Sequence, residues 1–142
     1  MREPTTILVV DDNPSMAKTL ADILKVKNFE VHAAYSGAEQ IIDYIFGKNA
    51  TGYCFLTGFG SKRAMFPHHR PSGADGIEQP VPGFIIGGPN KDKQDKQQVT
   101  YNSDFPAKAY ADVEGSYASN EVCINWNAPA VYVLGYLQQV RK

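Results

Sequence analysis

Ile7-Leu8-Val9-Val10-Asp11-Asp12-Asn13-Pro14 decides how the first third of the chain is read. Four consecutive β-favouring apolar residues suit a short strand covered on both faces, as in a parallel sheet. Asn13 offers a side-chain oxygen to a helix start, and Pro14 fits the first helical turn. Met16, Leu20, Ile23 and Leu24 then recur at helical spacing, and Asn28 is a fitting stop. Phe29-Glu30-Val31-His32-Ala33 alternates as a second strand. Ser36 and Glu39 stand at capping-box spacing. Ala38, Ile41, Ile42, Ile45 and Phe46 form the apolar face of a further helix, closed by Gly47. The expectation is a mixed α/β chain whose first part is a β-α-β-α run, a partial doubly wound, flavodoxin-like fold.

Composition changes after Phe46. Residues 1–46 hold one glycine and two prolines, whereas residues 47–142 hold eleven and seven. Charge shifts from −3 to +2, and twelve of the sixteen aromatic residues follow the break. The second part therefore reads as a loop-rich, aromatic-lined surface of the kind that builds a binding cleft. Asn90-Lys91-Asp92-Lys93-Gln94-Asp95-Lys96-Gln97-Gln98 alternates in charge and is expected to be a solvated loop. Phe84-Ile85-Ile86 is a candidate further strand for the small sheet. The 142 residues suffice for one ordinary domain or for a piece of a larger one. A net charge of −1 argues against a phosphate-tracking nucleic-acid binder. No apolar run approaches the roughly 18 residues of a membrane span, and the opening MREPTTILVVDD has too short an apolar stretch for a signal peptide. Cys54 and Cys123 could pair once, but they make no disulfide framework.

The stretch ILVVDDNPSMAKTLADILKVKNFEVHAAYSGAEQ resembles the opening of a bacterial response-regulator receiver domain, over about residues 1–40. The resemblance places Asp11 and Asp12 on the acidic pair that helps hold Mg²⁺ beside a phosphorylated aspartate. Adjacent carboxylates at a strand's end can ligate such a hard cation. The same pair also reads as a polar turn near a helix N-terminus. The acceptor aspartate would stand in Thr51-Gly52-Tyr53-Cys54-Phe55-Leu56-Thr57, which contains no carboxylate. This half is thus a degenerate receiver, suited at most to a signalling or interaction role.

From about residue 41 to 142 a second set of motifs takes over. Gly60-x-Lys62-x4-Pro67-His68-x-Arg70 is one, and Tyr110-x-Asp112-x4-Tyr117-x3-Glu121, followed by Asn127-Ala128, is the other. These are similar to the C-terminal end of glycoside hydrolase family 9, mostly endo-β-1,4-glucanases. Cys54 and Cys123 depart from the small residues usual at their positions. The resemblance implies a fragment of a six-hairpin α/α barrel, acting on cellulose or cello-oligosaccharide without a cofactor, from a family that is usually secreted. It makes Glu121 the general acid and Asp112 the other signature carboxylate. It sets His68, Arg70 and Tyr117 against the sugar. A glycosidic bond breaks through an oxocarbenium-like transition state, and the leaving oxygen takes a proton from such an acid. Tyr110 and Trp126 could stack on sugar rings, although an apolar helical setting favours packing for Trp126. His69 is open between roles. His68-His69 with neither cysteine in a CxxC makes a closed zinc site a minor alternative.

An inverting hydrolase also needs a carboxylate base roughly 6.5–9.5 Å from the acid. In the family that base lies in an Asp-Ala-Gly-Asp motif, which this sequence lacks. The two patterns meet inside one amphipathic helix near Ala38–Ile42, without the flexible linker that separates independent modules. The reading that follows is a fragment or chimera derived from a cellulase, inactive alone. The apolar face of Val131, Leu134, Leu137 and Val140 is expected to lack its barrel neighbours and to promote self-association. The alternatives are the degenerate receiver, or a non-catalytic globule with one merged core.

Overall fold

The structure, a computed structural model, describes residues 5–11, 13–34 and 36–140. The chain divides into two compact units, residues 1–43 and 44–142. The first begins with strand β1 (Thr6–Val10), helix α1 (Pro14–Val26) and strand β2 (Glu30–Ala34). Helix α2 (Gly37–Ile45) crosses the boundary between the units. β1 and β2 pair in parallel, with Thr6 opposite Glu30 and Val10 opposite Ala34. A parallel pair needs a crossover, and α1 supplies it.

The ends of these elements follow their local chemistry. The Asn13 side-chain oxygen accepts the N–H groups of Ser15 and Met16 at 3.0 and 3.2 Å, which satisfies two donors that a helix start leaves free. Asn28 leaves α1 at φ +62°, a left-handed conformation that asparagine tolerates. Ser36 Oγ accepts the Glu39 N–H at 3.1 Å, as its spacing predicts. Gly47 ends the next helix at φ +108°.

The packing stripe differs from expectation. Ala17 and Ala21 are the α1 residues buried against Val9 and Val31, with Leu24 beside them. Met16, Leu20 and Ile23 are exposed. A two-stranded sheet has room for one narrow stripe of a helix, and alanines let the backbone come closest. The partial doubly wound reading therefore reduces to one β-α-β crossover and a following helix. Phe84-Ile85-Ile86 does not join this sheet, which has two strands among the described residues. Ile85 and Ile86 bridge other segments of the second unit instead.

The second unit is held by short extended segments that touch through isolated bridges. Leu56 bridges Ile85, Ile86 bridges Val122, Cys54 bridges Arg63, and His68 bridges Glu121. The period-2 alternation of side chains along residues 54–56 builds two clusters. Cys54 and Leu56 pack with Ile85 and Ala130. Phe55 packs with Ala64, Ile86 and Tyr110. The Tyr53 and Phe55 rings meet the Tyr110 ring edge-on, at centroid distances of 4.9 and 5.2 Å. The described regular elements are a one-turn helix α3 (Arg70–Ala74), a 3-10 turn (Pro106–Lys108) and helix α4 (Ile124–Val140). Asn127 fastens α4 by receiving the Ile85 N–H and donating to the Ile85 carbonyl, both at 2.8 Å. Val131, Tyr132 and Tyr136 on α4 are exposed. No described helix is long and apolar enough to cross a membrane.

Gly60 sits at φ +80°, and a Cβ there would lie 2.8 Å from Cys54 Cβ. Gly60→Ala should therefore destabilise the second unit by about 1–3 kcal/mol through strain and overpacking. Denaturant unfolding followed by fluorescence of Trp126, the one tryptophan, measures this directly.

Candidate functional site

His68 and Glu121 are 53 positions apart in the sequence, yet they lie opposite each other in a parallel bridge. The His68 N–H donates to the Asn120 carbonyl at 2.8 Å, and the Gly87 N–H donates to the Glu121 carbonyl at 3.0 Å. Glu121 thus rides between two extended segments. It lines an open depression of about 440 Å³ together with Tyr117, Ala118, Gly87, Gln94 and Trp126. Glu121 and Tyr117 are exposed, and neither side chain has a hydrogen-bond partner among the described residues.

His68 is held from both sides. Its Nδ1 lies 2.5 Å from the Glu114 carbonyl oxygen, and its ring meets the Tyr117 ring edge-on at 6.4 Å. A carbonyl can only accept, so Nδ1 carries the proton, and Nε2 has no hydrogen-bond partner among the described residues. His69 caps α3 and turns the other way, with Nδ1 2.9 Å from Ser72 Oγ and its ring on Phe84. Arg70 opens α3 and is exposed, with its guanidinium unpaired among the described residues. The structure therefore groups Glu121, His68 and Tyr117, places Arg70 two residues beyond His68, and assigns His69 to the fold.

Asp112 sits differently. Its carboxylate accepts the N–H of Met65 at 2.9 Å, the N–H of Phe66 at 3.0 Å and the Asn120 amide at 3.3 Å. It ties the residue 60–70 loop to the segment that leads into Glu121, and it does not line the groove. Asn120 is fully buried and completes the tie. It accepts the Tyr110 hydroxyl at 2.7 Å and donates to the Phe66 carbonyl at 2.5 Å. Burial, and then the charge of Asp112, pushes the Tyr110 phenol far above its ordinary value, so it stays a neutral donor. Tyr110 is thus a core residue rather than a sugar platform. Trp126 packs as expected, its indole N–H donating to the Ile85 carbonyl at 2.8 Å, while its edge reaches the groove.

The other candidates fall outside this group. Asp11 belongs to the first unit, and its Oδ1 accepts the Asn13 N–H at 2.8 Å, the polar-turn arrangement. Asp12 lies outside the described residues. Cys54 and Cys123 are both free thiols. Among the described residues no group of three or more His, Cys, Asp or Glu could hold a metal ion.

Sequence reasoning missed Asp95. The run it belongs to reads as solvated, but Asp95 is only 2% exposed. It accepts hydrogen bonds from Tyr101, Ser116 and the Ala118 N–H at 2.5, 2.8 and 3.0 Å. The available signal was Tyr101, a hydroxyl six residues further on, but alternating lysines hid it.

Comparison with known proteins settles the lineage. The model of glycosyl hydrolase family 9 matches residues 8–134. The chain belongs to glycosyl hydrolase family 9. It is 52% identical over 96 residues to a xyloglucan-specific endo-beta-1,4-glucanase of Bacteroides ovatus, covering 68% of this chain and 16% of that protein. It is 35% identical over 121 residues to endoglucanase D of Acetivibrio thermocellus, covering 84% of this chain and 16% of the relative. The solved structure of AaCel9A, in complex with a cellobiose-like isofagomine, superposes with TM-score 0.69 at 41% identity. That match covers 86% of this chain and 24% of AaCel9A. The chain thus spans less than a quarter of the length of each of these relatives. Residues 41–142 are 102 of the 142 and cannot supply 86% coverage alone, so the likeness extends into residues 1–40. The family match likewise takes in most of the stretch that resembles a receiver.

Asp112→Ala should lower stability by about 2–4 kcal/mol, since it leaves the Met65 and Phe66 amides without their acceptor. Asp112→Asn should cost about 1 kcal/mol, because one amide oxygen still accepts. Denaturant midpoints of the two variants distinguish them. A second test is acid. Burial disfavours the Asp95 charge, but hydrogen bonds from Tyr101, Ala118 and Ser116 outweigh it and hold the carboxyl below the usual carboxylate range. Stability from such a group is present above about pH 4, its unfolded value, and is lost as pH falls through the folded value. Asp95→Asn should therefore be less stable at pH 7, with a shallower loss of stability below about pH 4.

Proposed function

We propose that the second unit carries the proton-donating side of a cellulase cleft, and that this chain by itself binds cello-oligosaccharide without cleaving it. One observation carries the reading. The His68–Glu121 backbone bridge carries Glu121, whose carboxyl is unpaired among the described residues, to a groove that it lines with Tyr117 and the edge of Trp126, and the His68 ring meets the Tyr117 ring. In this reading Glu121 gives its proton to the leaving glycosidic oxygen as the bond to the anomeric carbon breaks. His68 and Arg70 hold sugar hydroxyls, and Tyr117 offers its ring face to the apolar face of a sugar. Asp112 acts by fixing the loop that presents His68 and Arg70. The opposing carboxylate that would draw a proton from the attacking water has no counterpart of the Asp-Ala-Gly-Asp type in this sequence. The family membership and the endoglucanase names of the relatives support β-1,4-linked glucan as the ligand class.

Titration of the labelled chain with cellotetraose should move the amide signals of His68, Tyr117 and Glu121. His68→Ala and Arg70→Ala should each weaken binding by about tenfold, the loss of one or two hydrogen bonds to a polar ligand. Reducing-sugar release from carboxymethylcellulose should equal that of Glu121→Gln. Turnover at an ordinary enzymatic pace, about 1–10³ per second, abolished in Glu121→Gln, would show that the chain is a complete catalyst.

A second reading rests on the parallel β1–β2 pair, its α1 crossover and Asp11 just past the end of β1. In it, residues 1–40 are a degenerate receiver segment fused to the hydrolase part and used for signalling or interaction. Acetyl phosphate with Mg²⁺ should then shift the Asp11 and Asn13 amide signals, and an unchanged spectrum rejects it. The exposed face of α4 adds one further expectation for either reading. The mass in solution should exceed the 15.6 kDa of one chain at high concentration, as sedimentation velocity would show.

A further inference from the structure

Three features of the second unit have no part in the sugar site described so far. They are the exposed face of α4, a small depression walled by Glu78 and Glu114, and the loop containing Asp95. The third is built in detail. Asn90 Nδ2 donates to the Ala118 carbonyl at 2.9 Å, while the Ala118 N–H donates to Asp95 at 3.0 Å. One loop thus grips both sides of the same residue. That residue follows Tyr117 directly and precedes Glu121 by three. The Asp95 carboxylate also accepts the Ser116 hydroxyl at 2.8 Å, and Ser116 Oγ lies 2.8 Å from Ser119 Oγ. Ser116 and Ser119 are fully buried. The loop is itself anchored, since Lys93 Nζ donates to Asp104 at 2.7 Å and to the Ser103 carbonyl at 3.3 Å. Between these anchors Gln94 reaches the groove that Tyr117 and Glu121 line from the other side.

We propose that Asp95 is a positioning residue of this groove: its carboxylate clamps the Ser116–Ser119 turn and so sets Tyr117 and Glu121 opposite the loop that presents Gln94. The inference deepens the sugar-binding reading and rests on it for the nature of the ligand. The chemistry favours a clamp over a mere loop anchor. A buried carboxylate accepts several donors at once, and each charge-assisted bond is stronger than a neutral one. Here two of the three donors, Ser116 Oγ and the Ala118 N–H, lie in the segment that holds the groove side chains. Gln94 carries both a donor and an acceptor at its tip, the pair that a sugar hydroxyl matches.

The test compares Asp95→Ala and Asp95→Asn in the full chain. Cellotetraose affinity is measured by NMR titration, and amide hydrogen exchange is followed residue by residue. Asp95→Ala should weaken cellotetraose by about tenfold and speed exchange at Ala118 and Ser119 by at least about tenfold, through loss of a buried charge-assisted acceptor. The core amides of Phe55 and Ile86 should keep their protection. Asp95→Asn should recover most of the affinity, since its amide oxygen can take the Ala118 N–H while the Tyr101 hydroxyl turns to accept. Unchanged affinity and unchanged exchange in Asp95→Ala would overturn the proposal. Loss of protection throughout the core in both variants would overturn it as well, because the carboxylate would then serve the fold alone. If the unaltered chain shows no response to cellotetraose, the sugar reading fails separately. Exchange then decides: loss confined to residues 116–121 upholds the clamp, and its absence refutes it.

Discussion

The Asp112 carboxylate, bonded to two consecutive backbone amides, is the constraint on which the site depends. Met65 and Phe66 would otherwise present unpaired N–H groups in a partly buried loop, and such groups are costly to leave unsatisfied. Asn120 adds the reciprocal bond to the Phe66 carbonyl, and Tyr110 holds Asn120. The three side chains form a closed set in which every polar atom has a partner. Only with that set in place does the His68 N–H reach the Asn120 carbonyl and bring His68 level with Glu121. The division of labour between the two signature carboxylates follows. The Asp112 oxygens are taken up by backbone and side-chain donors, whereas the Glu121 carboxyl is unpaired among the described residues at the groove.

A similar economy runs through the rest of the second unit. It has little regular secondary structure, so its backbone groups find partners one at a time. Thr57, fully buried, shows how. Its hydroxyl donates to the Val81 carbonyl at 2.7 Å and accepts the Phe84 N–H at 2.9 Å. Asn127 does the same for Ile85. Buried amides and hydroxyls thus replace the ladder of a sheet. That is why a loop-rich chain can hold a groove in a fixed shape.

Much of this was legible in the sequence where the interactions are local. The Asn13 cap, the Ser36 cap, the Asn28 and Gly47 exits and the two strands of the first unit depend on neighbours within a few residues. Spacing alone exposes them. The signature residues were legible for another reason, their likeness to a family, and that likeness placed Glu121, His68 and Tyr117 together. What stayed hidden was long-range pairing. Phe84-Ile85-Ile86 reads as a strand, but nothing in three apolar residues says that Leu56 and Val122 are its partners rather than β1. Asp112 reads as a signature carboxylate, but a motif does not reveal that the Met65 and Phe66 amides are its partners. Asp95 reads as a solvated charge because it stands in a run of alternating charges whose Lys91 and Lys96 are exposed. The receiver-like opening shows a further limit. A β-α-β pattern is generic, and the family match begins at residue 8, inside it.

The clasp between His68 and Glu121 closes a long intervening segment from its two ends. The entropy of such a closure grows only with the logarithm of the segment's length. Residues could be added or removed at an exposed tip such as Asp75–Gln79, which lies clear of the braces at Asp95, Asp112 and Asn120, at small thermodynamic cost. This stretch can therefore change length or take on a new loop while the bridge that holds His68 against Glu121 stays closed.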